Sequence, residues 1–412
     1  MKILHIVQPL IPGGVSNVVT GLVKAFNKIG VENIVVTFER SSPEILKTLE
    51  ESNVEILNVN LMLPPFSSYF YALAVSEKIK KIVTREKPDA IMIHPGWLSI
   101  ISRFLKTELP IIVTVHGTYF NELKYMKYHP IAGLEKIRYM MGIRLSFDIE
   151  ISQLRTVAQL NNTLISAVSK NTKRELVNAG VPSHRVFSIL NGVDKDLFKP
   201  MNKDYAKTVV EEVFRVKLKD KVLLHVNPGP IKGTHMLIKA LAMVKRVYGE
   251  NITLLVAGRI GPKSYKEYVE VMVKSLGLEN NVGFLGYVQQ DKLPLLYNAA
   301  DLTVVPSYSE GGPLITPESL ACGTPVVATN VGGNPEYLAL ANLNNLLANI
   351  ESYDFSRSLA LKLIEGVKRD YHVNSVAVPS WHSTAKLYLK VAASLLSRQT
   401  DDLHEICKIF TI

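Results

Sequence analysis

Glu310-Gly311-Gly312-Pro313-Leu314-Ile315-Thr316-Pro317-Glu318-Ser319-Leu320-Ala321-Cys322-Gly323-Thr324-Pro325-Val326-Val327-Ala328 reads as a turn, a helix and a strand in one short span. The paired glycines make the turn. Pro317 and Glu318 suit the first turn of a helix running through Leu320, and Gly323 with Pro325 ends that helix before an apolar, β-branched run. Two glutamates are thereby separated by seven residues, one in the turn and one inside the helix. The glycines let backbone N–H groups come close to a ligand, and the start of a helix offers unpaired donors and a positive dipole end to phosphate. A carboxylate in the turn can accept from sugar hydroxyls, and one on the first helical turn from a ribose diol. The plain structural alternative is a strand-turn-helix unit capped by acids.

Outward from this span the pattern repeats. The second half carries short apolar runs at 222–226, 254–257, 282–285, 302–305 and 325–328, and the first half at 3–7, 34–38, 90–93, 111–115, 164–168 and 186–190. Helix-length segments separate them, which predicts parallel sheets covered on both faces. Between the two series, 198–221 is Lys-rich and less apolar. The chain is therefore read as α/β, with domains at 1–200 and 201–380. Ligands of such sheets sit beyond the carboxyl ends of the strands, so the chemistry belongs in the loops after these runs.

A chain of 412 residues exceeds one ordinary core, which agrees with two domains. Its 47% hydrophobic and 20% charged residues are the composition of a globular protein, not a disordered one. Cys322 and Cys407 stand far apart, which builds neither a disulfide framework nor a cysteine zinc site and points to a reducing, cytoplasmic setting. Met1-Lys2-Ile3-Leu4-His5-Ile6-Val7 runs straight into Pro9 and Pro12 and reads as a first strand, without the features of a signal peptide. No uninterrupted apolar run is long enough to cross a bilayer, so membrane contact would be peripheral. The formal charge of +10 favours anionic partners: nucleotide phosphates, acidic lipid or nucleic acid. The charge is spread out and lacks a basic-aromatic motif, which argues against nucleic acid.

The 310–328 span closely resembles the signature of glycosyltransferase family 4, retaining enzymes of the GT-B fold, and the resemblance covers almost the whole chain. Leu293-Pro294-Leu295-Leu296-Tyr297-Asn298-Ala299-Ala300-Asp301 with Val304-Val305-Pro306-Ser307 resembles the family's approach to the glutamates, and Val331-Gly332-Gly333-Asn334-Pro335-Glu336 the loop after them. Asn191-Gly192-Val193-Asp194 with Phe198 is similar to its domain-junction motif. Trp381 is similar to the start of a helix that crosses back to the first domain, so that 381–412 forms this helix and a tail. The resemblance implies two Rossmann-like domains facing a central cleft. It further implies that Glu310 holds the donor sugar, that Glu318 holds the donor ribose, and that backbone groups of Gly311, Gly312, Pro313 and Leu314 reach the sugar and pyrophosphate.

Other positions take their roles from the same resemblance. Gly13 and Gly14 follow the first strand and precede a helical pattern; paired glycines mark many turns, and the full dinucleotide spacing is missing here. In the family such glycines let the first domain close onto donor phosphates and acceptor. His116 ends a strand and matches the family's histidine, which contacts the donor sugar near the reacting carbon. His94 ends the preceding strand and is read as a capping or packing residue at least as readily as a site residue. Lys232 opens a helix and matches a cation that neutralises the leaving diphosphate, but the family usually carries an arginine five residues earlier, where this chain has Asn227. Asp194-Lys195-Asp196 spells a metal-chelating pattern of another glycosyltransferase class. It lies inside the junction motif and is read as a solvated turn, so no metal is expected.

The resemblance thus implies a hexosyltransferase-type enzyme of glycan biosynthesis. It would move a sugar from a nucleotide-sugar co-substrate to a glycan, lipid or small-molecule hydroxyl, with retention and with no further cofactor. His116, Glu310 and Lys232 would be catalytic, and Gly13, Gly14, Asn227, 311–314 and Glu318 would bind substrate. A catalytically weak nucleotide-sugar-binding subunit and a nucleotide-sugar epimerase on the same fold stay open as alternatives. Residues 119–144 place Lys124, Lys127, Lys136, Arg138 and Arg144 against Glu122 and Glu135 with apolar residues between, the pattern of an acceptor face that touches anionic membrane or of an ordinary helical pair with solvated cations.

Overall fold

The computed structural model describes residues 1–38, 41–52, 54–59, 68–126, 130 and 133–397, with the backbone alone over 68–74. Cys407 and Lys127 lie outside the described residues. The strands of the first half are β1 (Lys2–Val7), β2 (Glu32–Phe38), β3 (Glu55–Val59), β4 (Ala90–His94), β5 (Ile111–Val115), β6 (Thr163–Ala167) and β7 (Val186–Ser188). They form one sheet in the order β3-β2-β1-β4-β5-β6-β7, parallel throughout. The second half contributes β8 (Lys221–Val226), β9 (Ile252–Ala257), β10 (Val282–Gly286), β11 (Leu302–Val305), β12 (Val326–Thr329) and β13 (Leu347–Ala348). Their sheet runs β10-β9-β8-β11-β12-β13 and is also parallel. Both orders reverse direction once, beside β1 and beside β8, which is the doubly wound arrangement and marks where its ligands bind.

The expected runs all became strands, with shifts of a residue or two at their ends. Two strands went unread. β3 sits at a sheet edge with half-exposed residues, and β13 has two residues, so neither shows the continuous apolar run of a strand buried on both faces.

Contacts divide the chain into two units. One holds Met1–Phe120, Gly142–Gly192 and the chain from Ser380 onward; the other holds Asn121–Met141 and Val193–Pro379. In the first unit the helix Trp381–Leu396, capped by Ser380, packs on the helix Gly14–Lys28. Its Ala385, Tyr388, Val391 and Ala392 enter the core with Phe26 and Phe187. The Tyr388 hydroxyl is 2.9 Å from Ser166 Oγ, and Thr384 Oγ1 donates to the Leu190 carbonyl at 3.1 Å. The returning helix is therefore part of the first unit. Two glycines make room for it: a Cβ at Gly21 would overlap the Trp381 indole, and one at Gly192 the Trp381 backbone.

Candidate active site

In the second unit the site is built where the sheet reverses, between the loop after β8 and the loop after β11. His225 of β8 is buried; its Nδ1 lies 3.1 Å from the Val304 carbonyl oxygen and its Nε2 2.9 Å from Thr234 Oγ1. The same hydroxyl accepts from the Gly229 N–H at 2.9 Å, so one threonine ties strand, loop and helix start together. Gly233 has φ +68°, and a Cβ there would fall on the Pro306 carbonyl oxygen. That close approach lets the Tyr308 N–H donate to the Ile231 carbonyl at 2.8 Å, joining the two loops.

Two of the expected residues meet directly. Lys232 Nζ donates to Glu310 Oε1 at 2.8 Å, and Ser307 Oγ donates to the same oxygen at 2.6 Å. Glu310 stands in the turn. Behind it, Gly332 at φ +55° presses on the turn so closely that a Cβ would lie 2.5 Å from the Gly311 carbonyl oxygen, while the Gly333 N–H donates to that oxygen at 2.8 Å. Gly311, Gly312 and Leu314 are partly exposed and Pro313 is buried. Ser307 was legible only as part of the motif before the turn.

Glu318 lies in the first turn of the helix Ile315–Ala321 and is buried. Its Oε2 accepts from the Tyr297 hydroxyl at 2.8 Å, and burial pushes its pKa up to about 8. Cys322, buried beside it, has its thiol pushed up to about 12 by the same burial. Asn227 is exposed, adopts φ +61°, and donates its N–H to the Ala257 carbonyl at 2.8 Å.

In the first unit His116 follows β5 and His94 ends β4. The His94 Nδ1 and His116 Nε2 share a hydrogen bond of 3.1 Å, and the His94 ring stacks on both His116 and His5. His5 Nε2 lies 2.9 Å from Asn33 Oδ1. Burial pushes the pKa of His5 and of His116 down to about 4, and that of His94 well below the usual imidazole range. The three rings are neutral at pH 7, and His94 is the residue that orients His116. Gly13 and Gly14 are exposed, and the protein's own packing leaves space for a Cβ at both. Asp194 Oδ1 accepts from the N–H groups of Asp196 and Leu197, which makes Asp194-Lys195-Asp196 a capped turn.

Two parallel sheets of the doubly wound kind, with Lys232 and Glu310 paired at the second reversal and Glu318 on the helix after the turn, have the architecture of the GT-B glycosyltransferases. The model for glycosyltransferase family 4 matches residues 12–197, and that for glycosyl transferases group 1 matches residues 208–369. The chain is 26% identical over 80% of its length, and 80% of the relative's, to an uncharacterized glycosyltransferase of Methanocaldococcus jannaschii. It is 28% identical to the D-inositol 3-phosphate glycosyltransferase of Corynebacterium glutamicum, over 73% of this chain and 71% of that one. Among solved structures, a glycosyltransferase of Rickettsia africae superimposes with a TM-score of 0.69 at 19% identity, covering 97% of this chain and 99% of the other. Anabaena HepE, solved with UDP, superimposes with 0.68 at 19% identity, covering 98% and 100%. The chain belongs to glycosyltransferase family 4.

Glu318 carries a consequence for stability. Its folded pKa, about 8, is above the ordinary value of 4.5, so the folded protein keeps a proton that the unfolded chain loses. Stability from this group is full below about pH 4.5 and falls as pH rises through about 8. Glu318→Gln removes that titration. The difference in thermal midpoint between variant and wild type is expected to move in the variant's favour between pH 5 and pH 9; a difference independent of pH contradicts the buried, protonated carboxyl.

Proposed function

We propose that the protein transfers a hexosyl group from a nucleotide-sugar to a hydroxyl acceptor with retention at the anomeric carbon, and that it needs no metal. The observation that supports this most is the Lys232–Glu310 pair in the loops at the sheet reversal, 2.8 Å long and backed by Ser307. When the anomeric C–O bond of the donor breaks, its electron pair goes to the diphosphate oxygen, and stabilising that charge is the main electrostatic task. Lys232 turns to the diphosphate and Glu310 accepts from a sugar hydroxyl, each exchanging its present partner for one on the substrate. The acceptor oxygen bonds the anomeric carbon from the face the diphosphate leaves, and its proton passes to the leaving phosphate oxygen. Glu318 is assigned the ribose, 311–314 the sugar and pyrophosphate through backbone groups, and Gly13, Gly14 and neutral His116 the first unit's share of the substrate. His116, being uncharged, acts as a hydrogen-bonding group.

The HepE complexes with UDP and with UDP-glucose make uridine donors the first to test, beside guanosine and adenosine donors. The inositol phosphate relatives put phosphorylated polyols on the acceptor panel. Glu310→Gln is expected to lower turnover about 10²–10³-fold, because a preorganised contact matters most as charge develops. Donor affinity should change far less. Wild-type turnover in this variant sinks the assignment. The same assay in excess EDTA is expected to keep wild-type turnover, and its loss there, restored by a divalent cation, disproves metal independence.

We also infer peripheral contact with anionic membrane at the cytoplasmic face, for which the helix Gly133–Val157 offers the surface. No described helix is long and apolar enough to cross a membrane. Leu134, Ile137, Met141, Leu145 and Ile149 recur every three or four residues along this helix, and all are exposed, Leu134 at 75% and Met141 at 68%. The cations expected to help are partly occupied: Lys124 pairs with Glu351, and Arg144 with Asp148 at 2.8 Å. Lys136 and Arg138 take no carboxylate partner among the described residues, so the apolar stripe carries most of the contact. The protein is expected to sediment with vesicles containing phosphatidylglycerol at low salt, and Met141→Glu with Leu145→Glu to release it. Equal recovery with neutral and acidic vesicles, or sedimentation unaffected by the double change, disposes of the idea.

A further inference from the structure

A diphosphate leaving group carries more negative charge than one lysine offsets, and Lys232 already shares its charge with Glu310. The loop after β9, which neighbours β8 on the side away from β11, holds another cation. β8, β9 and β10 finish level with one another, with Val226 opposite Ala257 and Ala257 opposite Gly286. Two backbone bonds bind the loops that follow: the Asn227 N–H donates to the Ala257 carbonyl at 2.8 Å, and the Gly258 N–H to the Gly286 carbonyl at 2.6 Å. Gly258 has φ +125°, and a Cβ there would lie 2.7 Å from Pro228 Cδ and 3.2 Å from Asn227 Cα. The loop after β9 is thus laid directly on the Asn227 loop.

Its next residue is Arg259. The guanidinium carbon lies 5.5 Å from the ring centroid of Tyr287, the residue after Gly286, so an aromatic face holds it. Arg259 is exposed and takes no ion-pair partner among the described residues, whereas the neighbouring Lys263 is 3.7 Å from Glu267. Asn227 occupies the left-handed region, which asparagine enters more readily than most residues, although Lys87, Lys106 and Arg215 adopt it elsewhere in this chain. Position 227 brings no charge of its own, and an arginine without an ion-pair partner among the described residues stands on the loop laid against it.

We propose that Arg259, steadied on Tyr287, binds the diphosphate of the nucleotide donor and supplies the cation that Asn227 does not. The inference rests on the nucleotide-sugar reading of the site. Calorimetry with UDP, GDP and ADP identifies the tightest diphosphate, which is then compared with its monophosphate in wild type, Arg259→Gln and Arg259→Lys. Arg259→Gln is expected to weaken the diphosphate about 10- to 100-fold, in keeping with a hydrogen bond to a charged group, and the monophosphate much less. Arg259→Lys should retain most of the preference for the diphosphate, and Asn227→Arg should bring no gain. Unchanged diphosphate affinity in Arg259→Gln overturns the assignment, and so does an equal loss for both nucleotides. A gain of about tenfold or more from Asn227→Arg alone also overturns it, because the second cation's place would then be empty. If the wild type binds none of the three diphosphates, the nucleotide-sugar reading fails, and this inference with it.

Discussion

No side-chain atom fits between the Gly233 α-carbon and the Pro306 carbonyl, and the geometry of the second unit's site follows from that contact. With the two loops pressed together, the backbone bond from Tyr308 to Ile231 forms, and Lys232 and Glu310 come within 2.8 Å. His225 and Thr234 hold the lysine's loop from beneath by hydrogen bonds to strand and helix. Gly332 holds the glutamate's turn from the other side. The backbone that carries both groups is fixed in this way, which leaves only their side chains free to exchange partners. The pair itself is part-buried, so each charge is balanced by the other.

The first unit uses burial differently. Three imidazoles lie in a row from Asn33 to His116, and the cost of charging any of them in a low-dielectric interior keeps all three neutral. With no positive charge to repel its neighbours, the row can pack tightly and hold the last ring by a hydrogen bond. Glu318 follows the same rule with opposite sign: a carboxyl deprived of water holds its proton, and the Tyr297 hydroxyl is its hydrogen-bond partner.

Charge counted along a sequence and charge available on a surface are different quantities. The chain's formal +10 includes lysines and arginines that spend their charge on carboxylates distant in sequence, as Lys124 does on Glu351 and Lys203 on Asp301.

The sequence by itself determined two parallel sheets covered on both faces, because strands buried on both faces must be continuously apolar and the segments between them long enough to cross back. It also determined which residue types stand beyond the strand ends, since Glu310 and Lys232 in their loops, Glu318 on the helix that follows and His116 each come after a run that reads as a strand. Edge strands β3 and β13 escaped it because an edge does not need that composition. Only the tertiary structure decided which of these residues touch. Lys232 and Glu310 are 78 positions apart, and their pairing depends on two glycines whose need appears only when another loop's carbonyl occupies the space of a Cβ. The left-handed backbone at Asn227, the neutral state of His116 and the place of Arg259 on Tyr287 were likewise decided by packing, because dihedral strain, desolvation and ring contacts depend on neighbours that sequence order does not supply.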